Sequence, residues 1–196
     1  MQIEGRTLRE ASHAYRENLN RLLVHTMTRT PLIAVNERNA DVVRISFRRG
    51  GFSSTTTLAS RYGPINLYLR QTLDAIEGQR ERIRLRVIDY QYTITPLGAD
   101  DPLFRWEFVR FPSGGSFWCR HHLQGPITIN VGASNSVNLN DWHLPTGWVP
   151  IEEVIRFCII DLGVPPLDTS VDVDGVPGWH ARLLESRLRS ASALDL

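Results

Sequence analysis

Residues 117–126 read Phe-Trp-Cys-Arg-His-His-Leu-Gln-Gly-Pro, the densest grouping of chemically capable side chains in the chain. His121 and His122 can move protons near neutral pH, and Arg120 beside them can neutralise charge that develops on a phosphorane. A third histidine follows within Asn140-Asp141-Trp142-His143-Leu144-Pro145. Alternate residues of a strand face opposite sides, so Trp118, Arg120 and His122 share one face and Phe117, Cys119, His121 and Leu123 share the other. If the apolar members mark the buried side, His122 and Arg120 are the working pair and His121 turns toward the core. One strand earlier, Arg105 and Glu107 stand two residues apart on one face, offering a charge stabiliser and a second base.

Together His122, Arg120, Arg105 and Glu107, with His143 assisting, suit phosphodiester cleavage that needs neither metal nor other cofactor. Tyr90, Tyr92 and Trp118 offer stacking or hydroxyl contacts to a nucleotide. Two other readings draw on the same neighbourhood. Cys119, His121 and His143, joined by Asp141, could converge on a metal, although their spacing matches none of the usual zinc patterns and no metal is expected. Alternatively, the aromatic and arginine-rich face serves a non-enzymatic interaction module anchored by Trp106, Trp118, Trp142 and Trp148.

Composition narrows the classes. The 196 residues are 42% hydrophobic and 22% charged, ordinary for one globular domain with a real core. All 22 basic residues are arginine, which rules out a lysine base or Schiff base. The net charge of +1 conceals an asymmetry, since residues 1–100 hold 15 arginines against 10 acids and residues 101–196 hold 7 against 11. A basic surface from the first half would suit a phosphate backbone or an acidic partner. No run approaches the length of a membrane span, and the N-terminus lacks a secretory apolar segment, so a cytoplasmic protein with no membrane contact and reduced cysteines is expected.

Periodicity supplies the elements. Apolar positions from Leu8 to Met27 recur every three or four residues, predicting a helix over 6–27. Leu32–Val35 and Val42–Phe47 read as a hairpin, and residues 48–60 as a loop. Pro64 followed by Ile65, Leu67, Leu69, Leu73 and Ile76 reads as a helix over 64–80. Residues 82–94 form a long strand, bent midway. Leu103–Phe111 forms another, with Phe104, Trp106 and Phe108 opposite Arg105, Glu107 and Val109. A helix over 150–162 stops at Gly163, and an acidic linker over 168–177 leads to a terminal helix from Trp179 to Arg189. The expected fold is α+β, a mostly antiparallel sheet of about five or six strands packed by N-terminal, central and C-terminal helices. Residues 1–167 form a single domain, with a helix-hairpin-helix part over 1–81 and the sheet and helix carrying the His-His motif over 82–167; residues 168–196 follow as linker and terminal helix.

Tyr90-Gln91-Tyr92, Phe104-Arg105-Trp106-Glu107, His121-His122-Leu123 and Ile151-Glu152-Glu153-Val154-Ile155 fall in an order that resembles the TumE-type toxin family of bacterial toxin–antitoxin pairs. The resemblance covers about residues 84–163. It implies a compact α+β domain and RNA or translation as the target, an antitoxin partner, and Arg105 and His122 at matching positions. Here the two histidines are adjacent, whereas the family tends to separate them by one residue, and the N-terminal 80 residues lie outside the match.

Overall fold

The computed structural model describes residues 5–36, 41–47, 55–78, 82–111, 121–126, 128–130, 136–138 and 144–195. Thr7 opens helix α1 (Leu8–Thr26): its hydroxyl accepts from the Glu10 N–H at 3.2 Å, and the Glu10 carboxylate accepts from the Arg6 N–H at 2.9 Å. These bonds satisfy two amides at the helix start, where intrahelical acceptors are missing. Ala11, Tyr15, Leu19, Leu22 and Leu23 are buried at helical spacing, so one stripe of α1 packs on the sheet. Asn20 fixes the next element by holding both the N–H and the C=O of Leu32.

The strands are β1 (Leu32–Asn36), β2 (Val42–Phe47), β3 (Thr55–Leu58), β4 (Ile65–Glu77), β5 (Ile83–Pro96), β6 (Phe104–Val109), β7 (His121–Gln124), β8 (Thr128–Asn130), β9 (Ser136–Asn138), β10 (Leu144–Pro145) and β11 (Leu194–Asp195). The main sheet runs β1-β2-β4-β5-β6-β7-β10, with β3 also paired to β4 and β11 to β5, while β8 and β9 pair separately. Its pairings are antiparallel except β5 with β11. The α+β class is therefore as expected, and the sheet is wider than five or six strands.

Much of the added width comes from one correction. Residues 64–80 do not form a helix; Ile65–Glu77 is the central strand β4, paired along its length with β5. Ile65, Leu67, Leu69 and Gln71 point inward in strict alternation and are buried. In the sequence that alternation is disguised, because a polar Gln71 occupies an inward position and the register then shifts between Thr72 and Leu73. Tertiary partners reconcile Gln71 with the core: Tyr15 donates to its carbonyl at 3.0 Å, and its amide donates to the Tyr92 hydroxyl at 2.6 Å. A buried amide bonded on both sides costs little, whereas an unpaired one would be expensive. Within residues 48–60, read as a loop, Thr55–Leu58 forms β3.

At the register shift Thr72 faces Asp89 while Leu73 faces Val87, so Ile88 is an extra residue. This β-bulge keeps Leu85 and Val87 on the same inward face as Tyr90, Tyr92 and Ile94.

Helix α2 (Ile151–Ile160) carries Glu152 and Glu153 in its first turn, and Gly163 follows its end at φ +67°, a conformation that favours glycine. Helix α3 (Gly178–Ala193) packs against α1 and α2, bonded across by Asn18 to Ser186 and by Ser186 to Glu152. The segment before α3 is tied down by the amides of Leu167 and Asp168, which donate to Thr26 and His25 carbonyls. One core thus lies between the helices and the inward face of the sheet. No helix among the described residues is long and apolar enough to cross a membrane.

Candidate active site

The opposite face of the sheet is polar, and alternation dictates what stands on it. On β6 the inward positions are Phe104, Trp106 and Phe108, which leaves Arg105 and Glu107 outward. On β7, His121 turns inward and stacks on Phe108 with centroids 4.4 Å apart, while His122 and Gln124 turn outward. Strand register then sets Glu107 directly opposite His122 and Arg105 directly opposite Gln124. Directly opposed side chains are the ones that interact in a sheet.

His122 Nε2 lies 2.9 Å from Glu107 Oε2, and Arg105 Nε lies 3.6 Å from the same oxygen. The Arg105 guanidinium also donates to the Gln124 side-chain carbonyl. His122 is 8% exposed, so this contact is largely shielded from water. The hydrogen bond from His122 holds the Glu107 carboxyl below its ordinary value, aided by Arg105 and Arg70 and opposed by partial burial. Glu107 is therefore ionised at neutral pH and accepts the Nε2–H of the imidazole. An anionic acceptor against one ring nitrogen fixes the orientation of the ring.

Of the residues proposed from sequence for catalysis, the structure brings together His122, Arg105 and Glu107. Arg120, His143 and Trp118 lie outside the described residues, as do Cys119, Asp141 and Trp142. Tyr90 and Tyr92, expected to contact a nucleotide, are corrected: both face the helices, are 1% and 0% exposed, and stack on each other at 4.6 Å. Their hydroxyls serve the interior, Tyr92 accepting from Gln71 and Tyr90 from the Val149 N–H. Two-residue spacing places them on one face, and the flanking inward Val87 and Ile94 show that it is the buried one. Trp106 and Trp148 also pack inward, against Phe157 and against Phe108 and Tyr90 respectively. Cys158 is buried, which pushes its thiol up to about 12 and makes it unreactive. Among the described residues no group of three His, Cys, Asp or Glu could hold a metal ion.

Arg70 was missed. Its pattern sat inside the segment read as a helix, yet β4 places it in one cross-strand row with Gln91, Glu107 and His122. It pairs with Asp89 at 3.1 Å.

A second polar cluster sits on the helical side. Glu152 is 3% exposed and accepts from Ser186 at 2.7 Å and Ser190 at 3.2 Å. It borders a cavity of about 130 Å³ with Tyr15, Gln71 and Trp148. Burial raises the Glu152 carboxyl above its ordinary value despite those hydrogen bonds. A carboxyl raised by folding stabilises the folded state most when protonated, and that contribution is lost as pH rises from the unfolded value through the folded one. Glu152→Gln is accordingly expected to match wild type near pH 4 and to exceed it at pH 7 by on the order of 1 kcal/mol in urea unfolding. Equal stability of the two at pH 7 would show the buried carboxylate to be fully compensated.

Comparison with protein-family models, curated proteins and solved structures returns no match.

Proposed function

We propose that the protein is a metal-independent ribonuclease of toxin type whose centre is the cluster of Glu107, His122 and Arg105. The observation that carries this reading is the single Glu107 oxygen facing both an imidazole and a guanidinium on a largely shielded polar face. A carboxylate that orients an imidazole, with a guanidinium alongside, is what proton transfer at a phosphodiester requires.

In this reading His122 takes the proton of the ribose 2′-hydroxyl as that oxygen attacks the adjacent phosphorus. Glu107 stabilises the imidazolium, and Arg105 stabilises the charge on the phosphorane. The imidazolium then returns the proton to the departing 5′-oxygen, leaving a 2′,3′-cyclic phosphate and a 5′-hydroxyl end. Arg120 supplies a second guanidinium and His143 assists. An antitoxin is the partner, and the cytoplasm the site of action. The inward packing of Trp106 and Trp148 counts against the alternative of an interaction module anchored on tryptophans.

Induced expression in a bacterial host tests the reading. Wild type is expected to arrest growth and fragment total RNA, and His122→Ala to do neither. Unimpaired growth and intact RNA with wild type would sink it.

A further inference from the structure

The polar face continues beyond the catalytic cluster. Two rows cross it in register: Arg70, Gln91, Glu107 and His122 in one, and Tyr68, Thr93, Arg105 and Gln124 in the next. Arg70 and Tyr68 thus stand on β4, two strand spacings from the β6 residues Glu107 and Arg105, or about 10 Å.

These residues are equipped differently from a satisfied structural network. The Nε atoms of Arg70 and Arg105 are both buried without a hydrogen-bond partner among the described residues, while their side chains stay 32% and 34% exposed. Each side chain therefore remains a partly accessible cation that an anionic oxygen can approach, although its Nε is enclosed. Tyr68 is half-buried, has neither a ring contact nor a hydrogen bond among the described residues, and is flanked across the strands by Thr55 and Thr93. An aromatic ring on a polar sheet beside partly accessible arginines is the arrangement that holds unpaired bases and their phosphates. A duplex keeps its bases stacked away from such a ring.

We propose that Tyr68 and Arg70 form a holding subsite for single-stranded RNA, Tyr68 stacking a base and Arg70 contacting a phosphate, with the strand running across the sheet toward His122. This rests on the ribonuclease reading for the identity of the strand, and its test separates the two. The probe is a fluorescein-labelled 2′-O-methyl RNA of about ten nucleotides, within the usual site size, which cannot undergo attack by a 2′-hydroxyl. In fluorescence anisotropy the single strand binds more tightly than its duplex. Tyr68→Ala weakens binding about 10-fold, Tyr68→Phe restores it to about wild type, and Arg70→Gln lowers the slope of log affinity against log salt by about one. With cleavable RNA, Tyr68→Ala raises KM and changes kcat far less. Thermal melts show each variant folded.

Binding of wild type equally by duplex, or Tyr68→Ala and Arg70→Gln binding like wild type, overturns the subsite. If the 2′-O-methyl strand binds through Tyr68 and Arg70 while cellular RNA stays intact, the subsite stands and the cleavage reading falls. Cleavage with a KM indifferent to both substitutions has the opposite meaning.

Discussion

Glu107→Gln is expected to slow RNA cleavage by purified protein by about 10²–10⁴-fold, the usual contribution of positioned acid–base catalysis. The amide retains shape and a hydrogen-bonding oxygen but removes the charge that steadies the imidazolium. His122→Ala should lose a comparable factor. Because the two act as one unit, the double variant should lose little more than the worse single one. The variants should also differ in acid. Glu107 is held below its ordinary value of 4.5, so it contributes stability above the unfolded value that disappears as pH falls through the folded one. Glu107→Gln lacks that acid-side loss, which urea unfolding between pH 3 and pH 6 would reveal. Full cleavage by Glu107→Gln would remove this carboxylate from the mechanism.

Leu69→Ala is expected to destabilise the protein by about 2–5 kcal/mol, since a buried leucine leaves both lost transfer energy and a cavity. Leu69 is 1% exposed at the centre of β4, and Leu67, also 1% exposed, should behave alike. For a chain of this size each kcal/mol lowers Tm by about 2–4 °C. Asn66→Ala, on the outward face, should stay within about 0.5 kcal/mol. The pattern discriminates strand from helix: at helical spacing Leu69 and Leu73 share a stripe with Ile65, while Leu67 falls on the far side. A large effect at Leu69 with none at Leu67 would restore a helix over this segment.

That segment shows where sequence stops being legible. Its apolar residues satisfy two periods at once, and its 13-residue length is more typical of helices than of strands. Only the partners of Gln71, 56 residues away in Tyr15 and 21 away in Tyr92, decide the matter. Short-range chemistry was read more securely. Period-two alternation correctly separated His121 from His122 and Arg105 with Glu107 from Phe104, Trp106 and Phe108. The direct opposition of Glu107 and His122 depends on strand register, which alternation alone leaves open. Arg70 was out of reach for the same reason, because only a strand at 65–77 puts it in a row with them. The spacing of Tyr90 and Tyr92 gives them one face but does not tell inside from outside, which is why a nucleotide contact was expected of side chains that serve the core.

The extra residue at Ile88 has a consequence for how this chain can vary. Inward and outward positions along β5 are counted from its two ends in different phases, and Ile88 is the residue that joins the counts. Its side chain can be exchanged for another of similar shape at small cost. Its deletion would leave Val87, Asp89 and Tyr90 in plain alternation, with Leu85, Val87, Tyr90 and Tyr92 still inward and the pairing with Thr72 and Leu73 unbroken. Position 88 is therefore one the chain can lose and keep both faces of β5, whereas pairing Ile88 regularly with β4 would turn the two tyrosines to water.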